Sequence, residues 1–238
     1  MENEELRALF EYSVEEAINK IGTDLAYLAL TSKPELAFRD AMATSLMKGT
    51  SDDLYVAREM SLKKEERTSD LAQRGRIDLA ITNTDGNIRL ISELKAMYTF
   101  DMKDKSGGVC AAMAAGILRD IERTAVAASA LEIDAAYMII LVFSPSSESD
   151  IPPNLNRVAK YNMHQRIRVP LYEAHNKSLI RIFEEYLKGN FRTKKKIIEN
   201  TIKSIKDDGF PVGSAYGINF SLYPFVLRID TENKTTVR

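Results

Sequence analysis

The chain is poor in the residues from which many metal centres and covalent sites are built. Of its 238 residues only Cys110 is a cysteine, and there is no tryptophan. A single thiol excludes an internal disulfide and any cysteine-built zinc site. His164 and His175 are the only histidines. They form no recognised metal-ligand spacing and stand beside no nucleophile, so they read as ordinary surface or partly buried side chains. No apolar run approaches the roughly 18–20 residues that cross a bilayer, and the N-terminus is acidic, unlike a secretion signal. The expectation is a cytoplasmic protein with no membrane attachment.

What is present is an ordinary globular composition, 45% hydrophobic and 28% charged, in a chain long enough for an ample core. The formal net charge is only −1, but it is unevenly spread. Residues 1–24 hold seven acids against two basic residues, whereas residues 157–206 hold thirteen Lys or Arg against four acids. A near-neutral protein with such a basic region can still bind a polyanion locally.

Ser13-Val14-Glu15-Glu16 fits a helix capping box, and Val14, Ala17, Ile18, Ile21, Leu25 and Leu28 continue an apolar helical stripe up to Thr31-Ser32-Lys33-Pro34. A second helix follows to about Lys48, with Leu36, Ala43, Leu46 and Met47 expected inward. Residues 54–62 alternate like a strand, and Lys63 to Gln73 reads as a charged connection. The alanine-rich stretch from Gly108 to about Ile133 suits a crossover helix lying close to a sheet. Tyr137 to Phe143 is a continuous apolar run, expected as a buried strand. Beyond a polar loop from Ser144 to Pro153, a short strand is expected at 167–172, helices at 177–188 and 192–206, and a last strand from Tyr223 to Asp230. With no internal repeat and no low-complexity linker, residues 1–238 read as one domain. Its core is expected at about 34–143, with additions at 1–33 and 144–238.

The densest chemistry lies in residues 76–95, RIDLAITNTDGNIRLISELK. Asp85-Gly86 is a strong two-residue turn signal between strand-like segments. With that turn, or a symmetric four-residue loop, paired residue numbers sum to 171, which sets Asp78 directly opposite Glu93. A three-residue loop would shift the pairing by one. Opposed carboxylates repel across a sheet, and a hard cation relieves them. Lys95, two residues past Glu93, points to the same face. Ile77, Leu79 and Ile81 are expected to share a buried face with Ile88, Leu90 and Leu94.

The order helix, three strands, helix, strand over residues 34–143, with an acid on the second strand and Glu93-Leu94-Lys95 on the third, resembles the PD-(D/E)xK nuclease superfamily. Ile77 stands where the motif has proline. Two further Asp/Glu-x-Lys triplets, Asp101–Lys103 and Glu232–Lys234, lack an opposed acid. The resemblance implies an α/β fold with a central mixed sheet flanked by helices, a restriction-endonuclease-like αβββαβ core and C-terminal additions. It further implies magnesium-dependent phosphodiester hydrolysis, with Mn2+ as a substitute and DNA as the partner, RNA staying open because the chemistry is shared. Asp78, Glu93 and the backbone carbonyl of Leu94 would ligate the metal, and Lys95 would position the attacking water and stabilise the transition state. Glu35 is a further candidate, since members of the superfamily carry an acid on the first core helix. It could instead complete a capping box with Ser32 or pair with Arg39. Glu59 could face the same pocket. Arg74, Arg76, Lys195, Lys196 and Lys203 are the expected nucleic-acid contacts, and cutting both strands of a duplex would favour a homodimer. The competing class is a non-catalytic nucleic-acid-binding or assembly protein that keeps the fold.

Overall fold

A computed structural model describes residues 3–62, 76–102, 111–133, 135–146, 154–160, 173–193 and 202–230. Three helices lead, α1 (Asn3–Ile21), α2 (Asp24–Thr31) and α3 (Pro34–Gly49). Strands β1 (Leu54–Ser61), β2 (Arg76–Asn83) and β3 (Ile88–Tyr98) follow, and helix α4 (Ala111–Ala130) leads to β4 (Ala135–Ser146). Then come α5 (Glu173–Thr193), β5 (Ile202–Ser204), β6 (Phe210–Ala215) and β7 (Ile218–Asp230).

The seven strands form one mixed sheet in the order β1-β2-β3-β4-β7-β5, with β6 also paired to β7. Strands β3 and β4 run parallel, a pairing that needs a crossover, and α4 lies in it. The other pairs are antiparallel. Helices cover both faces. Leu6, Phe10, Val14 and Ala17 of α1 and Phe38, Met42 and Leu46 of α3 bury one cluster against Leu79, Ile81, Leu90 and Leu94. On the opposite face, Ala114, Ile117, Ile121 and Ala128 of α4 pack with Leu179, Phe183 and Leu187 of α5. Both sets recur at three- and four-residue steps, so each helix presents one apolar stripe. Residues 136–143 of β4 are buried throughout, which explains why that strand reads as an unbroken apolar run. Among the described residues no helix is long and apolar enough to cross a membrane.

Several expectations are corrected. Ser13 caps no helix; it lies inside α1 and donates its hydroxyl to the Phe10 carbonyl at 2.6 Å. The apolar stripe simply begins earlier, at Leu6. Leu36 and Met47 are exposed, because the buried stripe of α3 runs through Phe38, Met42 and Leu46 instead. The expected helix over 192–206 does not run to its end: Ile202–Ser204 pair with Phe225 to Leu227 of β7, while residues 194–201 lie outside the described residues. Lys203 therefore sits on a strand, where sheet pairing overrides the helical spacing of the isoleucines. Residues 144–146, expected to open a loop, instead extend β4 against Asn219 to Ser221 of β7. The rest of that loop, the connection at 63–73 and the strand expected at 167–172, together with Arg74, Gly107, Gly108, Cys110, His164, Lys195 and Lys196, lie outside the described residues.

The hairpin between β2 and β3 reaches its expected register by an unexpected route. Asn83 N–H donates to the Asn87 carbonyl at 2.9 Å, so Thr84, Asp85 and Gly86 form a three-residue loop, not a two-residue one. Gly86 takes the left-handed position such a loop requires, at φ 81°. The shift this causes is visible at Thr82↔Ile88, but a bulge follows, and Ile81↔Leu90, Ala80↔Ile91 and Leu79↔Ser92 again sum to 171. One extra residue in the strand cancels the extra residue in the loop. The bulge also reverses parity, so Ile88 packs on the α4 side while Leu90 faces α1–α3.

Candidate active site

The β2–β3 ladder stops at Leu79↔Ser92, one residue short of Asp78. Beyond it the Leu94 N–H is taken by the Asp78 carboxylate at 2.9 Å, in place of a backbone carbonyl. Both strands surrender regular pairing here. Ile77 and Met60 join the α4-side cluster, whereas Leu79 and Val56 join the α1–α3 cluster. The expected shared face of Ile77 with Leu79 and Ile81 is therefore wrong, because β2 turns over at Asp78. On β1 the turnover falls at Glu59, which lies between the pairs Arg58↔Leu79 and Met60↔Ile77 and has a left-handed φ of 51°. A non-glycine residue in that region stores backbone strain.

The gap opens a cleft of about 510 Å³ lined by Glu35, Arg39, Glu59, Arg76, Asp78, Glu93, Leu94, Lys95, Asp120 and Arg123, among others. Sequence reasoning brings Asp78, Glu93 and Lys95 together, and the cleft holds all three. Burial pushes the Glu93 carboxyl up to about 9, and the charge of Asp78 and a hydrogen bond to it add to the effect. Without a cation the Glu93 carboxyl thus favours its protonated form, as a buried acid beside a second carboxyl does. Lys95 Nζ is 2.8 Å from Asp120 Oδ2.

Glu35 makes neither of its local alternatives. Lys33, not Ser32, occupies the N-cap of α3, and Ser32 donates to the Leu28 carbonyl. Arg39 bonds Asp40 and Glu59 instead of Glu35. Glu35 crosses to β3, where one oxygen accepts the Ala96 N–H at 3.3 Å. Glu59 bridges Arg39 at 2.8 Å and Arg76 at 3.4 Å. Its hydrogen bond to Arg39, first among several causes, holds it below the usual carboxylate range. Arg76 stands exposed on the rim, and Asp101 of the second triplet accepts the Tyr98 N–H.

Sequence reasoning missed Asp120 and Arg123. Both lie on α4, and Asp120 is mostly buried on the flank of the stripe made by Ile117, Ile121 and Thr124. An acid so close to a buried stripe was the available signal, since an acid there needs a partner.

The chain matches no family model, no curated protein and no solved structure.

Among the described residues no three or more His, Cys, Asp or Glu side chains gather into a ready ligand cluster. Magnesium does not require one, because it binds through one or two carboxylates and keeps several waters. Asp78 and Glu93 supply two carboxylates, and the upward push on Glu93 marks a place where a cation would relieve the repulsion between them. The N–H and carbonyl of a strand residue point to the same side, so the Leu94 carbonyl also faces the gap into which its N–H donates. The donor set is hard oxygen throughout and fits magnesium.

Proposed function

We propose that this protein is a magnesium-dependent nuclease that hydrolyses phosphodiester bonds in DNA. The observation that carries the reading is the coincidence, in one cleft, of opposed carboxylates at Asp78 and Glu93 with Lys95 two residues along the same strand. The element order α3, β1, β2, β3, α4, β4 supports it, as does the resemblance of these residues to the PD-(D/E)xK pattern in a restriction-endonuclease-like core.

In this reading Asp78, Glu93 and the Leu94 carbonyl hold the metal. When bound, magnesium would polarise the scissile phosphate and lower the pKa of a coordinated water. The remaining work belongs to the chain. Asp78 is oriented by the Leu94 N–H, which leaves its other oxygen directed elsewhere. Glu35 is fixed by the Ala96 N–H on the same side of the strand gap and can accept a hydrogen bond from a water there. Lys95 places a cation where negative charge grows on the phosphate oxygens. Arg76 at the rim is a phosphate contact by position.

The test is cleavage of duplex, single-stranded and branched DNA, and of RNA, with Mg2+ or Mn2+. Wild-type protein cleaves at least one substrate, and Asp78→Asn and Lys95→Ala each abolish cleavage without loss of fold. No cleavage of any of these by well-folded protein would sink the proposal. A second reading, a nucleic-acid-binding protein without catalysis, draws on the raised Glu93 carboxyl and its hydrogen bond to Asp78, which satisfy the pair without a metal. Magnesium binding that depends on both residues decides against it.

A further inference from the structure

Two cations in the cleft share one carboxylate. Lys95 Nζ lies 2.8 Å from Asp120 Oδ2, and Arg123 Nη1 lies 3.1 Å from Asp120 Oδ1. The ammonium comes from β3 and the guanidinium from α4, and each grips a different oxygen. Asp120 is the more buried partner, at 19% side-chain exposure against 37% for Lys95 and 27% for Arg123. All three side chains line the cleft, and each cation keeps part of its surface exposed. A phosphate presents neighbouring anionic oxygens open to separate charge-assisted hydrogen bonds, as the two oxygens of Asp120 do here.

We propose that Lys95 and Arg123 form a two-cation clamp on one phosphate group of the substrate, and that Asp120 is the positioning residue that sets their spacing. This rests on reading the cleft as a phosphodiester site, and it adds Arg123 to the groups that touch substrate. Arg76 is the contrasting case: its guanidinium is splayed at the rim toward Glu59, 3.4 Å away. Lys95 supplies a compact charge and Arg123 a planar fork, so the two recognise the phosphate from different directions.

Inorganic phosphate titrated into metal-free full-length protein, followed by calorimetry, reads the clamp without any need for cleavage. Wild-type protein binds it, and Arg123→Gln weakens binding roughly ten- to hundredfold, the loss of one charge-assisted contact. Arg123→Lys, which keeps the charge and loses the fork, recovers part of that affinity. On a cleaved oligonucleotide, Asp120→Asn lowers kcat while KM stays level or falls, since both cations remain but lose their spacing. A purely structural role for Asp120 would instead lower the melting temperature and shrink the active fraction with neither split nor rescue. Wild-type protein that binds no phosphate, or a folded Arg123→Gln that binds it unchanged, overturns the clamp. Cleavage by Arg123→Gln with unaltered kcat and KM overturns it too and leaves the nuclease reading standing. Phosphate binding that depends on Arg123, in a protein that cleaves nothing, upholds the clamp and removes the nuclease.

Discussion

The Asp78 carboxylate accepts the Leu94 N–H at 2.9 Å, so a side chain does at this point what a strand backbone does elsewhere in the sheet. The residue that opens the gap is also one that lines it. Asp78→Asn keeps an acceptor for that N–H and removes the charge. We expect near-wild-type thermal stability with at least a hundredfold loss of metal-dependent cleavage. Asp78→Ala removes the acceptor too and leaves a partly buried N–H unpaired, at a cost of about 1–3 kcal/mol. Thermal melts beside cleavage assays separate the two variants, and equal melting temperatures would contradict the bond's structural role.

Glu93 gives the metal-free protein a pH dependence of definite sign. Its carboxyl titrates near 9 in the fold against 4.5 for an unperturbed glutamate. Between those values the folded state holds a proton that the unfolded chain has released, so stability falls as pH rises from about 4.5 to about 9. The stability of wild type relative to Glu93→Gln should therefore decline from pH 5 to pH 8. Magnesium must displace that proton, so its stabilising effect should grow over the same range and vanish in Glu93→Gln. Melts across pH, with and without metal, check both; a stability difference constant with pH would refute the raised Glu93 carboxyl.

Glu35 offers a separation of charge from shape. One of its oxygens accepts the Ala96 N–H at 3.3 Å, and the amide of Glu35→Gln can do the same. The variant should melt with wild type while its cleavage rate falls about tenfold or more, if the charge acts on water or metal in the cleft. Unchanged rates would confine Glu35 to bracing β3.

Tyr98 ties the far end of β3 to α2, its buried hydroxyl donating to the Ala29 carbonyl at 2.6 Å. Tyr98→Phe removes that bond and should cost about 1 kcal/mol, read by chemical denaturation. The ring contacts with Phe100 and Phe143 persist in the variant, so the loss isolates the hydroxyl.

The helix–strand order over residues 34–143 was legible because it depends on local patterns of apolar periodicity. The meeting of Asp78 with Glu93, by contrast, came about through a different loop, its register restored by a bulge. The bulge was not legible, since nothing in Ile88-Arg89-Leu90 distinguishes a strand with an extra residue from one without. Helix capping misled at Ser13, where Leu6 and Phe10 carry the buried stripe past a plausible start. The isoleucines at 198, 202 and 205 have helical spacing, yet pairing with β7 draws residues 202–204 into a strand. Asp120 carried a signal in its place beside a buried stripe, but its partner was out of reach. Its contact with Lys95 depends on where α4 crosses the sheet, a tertiary relation that spacing along one helix does not encode. Glu59 shows the same limit, because its left-handed backbone follows from the turnover of two paired strands.

The bulge beside Ile81 has a meaning for how this hairpin tolerates change. Turn length and site geometry are separate variables here, since a residue gained at the tip is absorbed within a few positions and Leu79 still meets Ser92. Shortening the exposed Thr84–Gly86 tip by one residue, with loss of the bulge, would return the same facing acids. The tip can change in length while the carboxylates stay where they are, provided that the bulge changes with it and a glycine keeps the left-handed position.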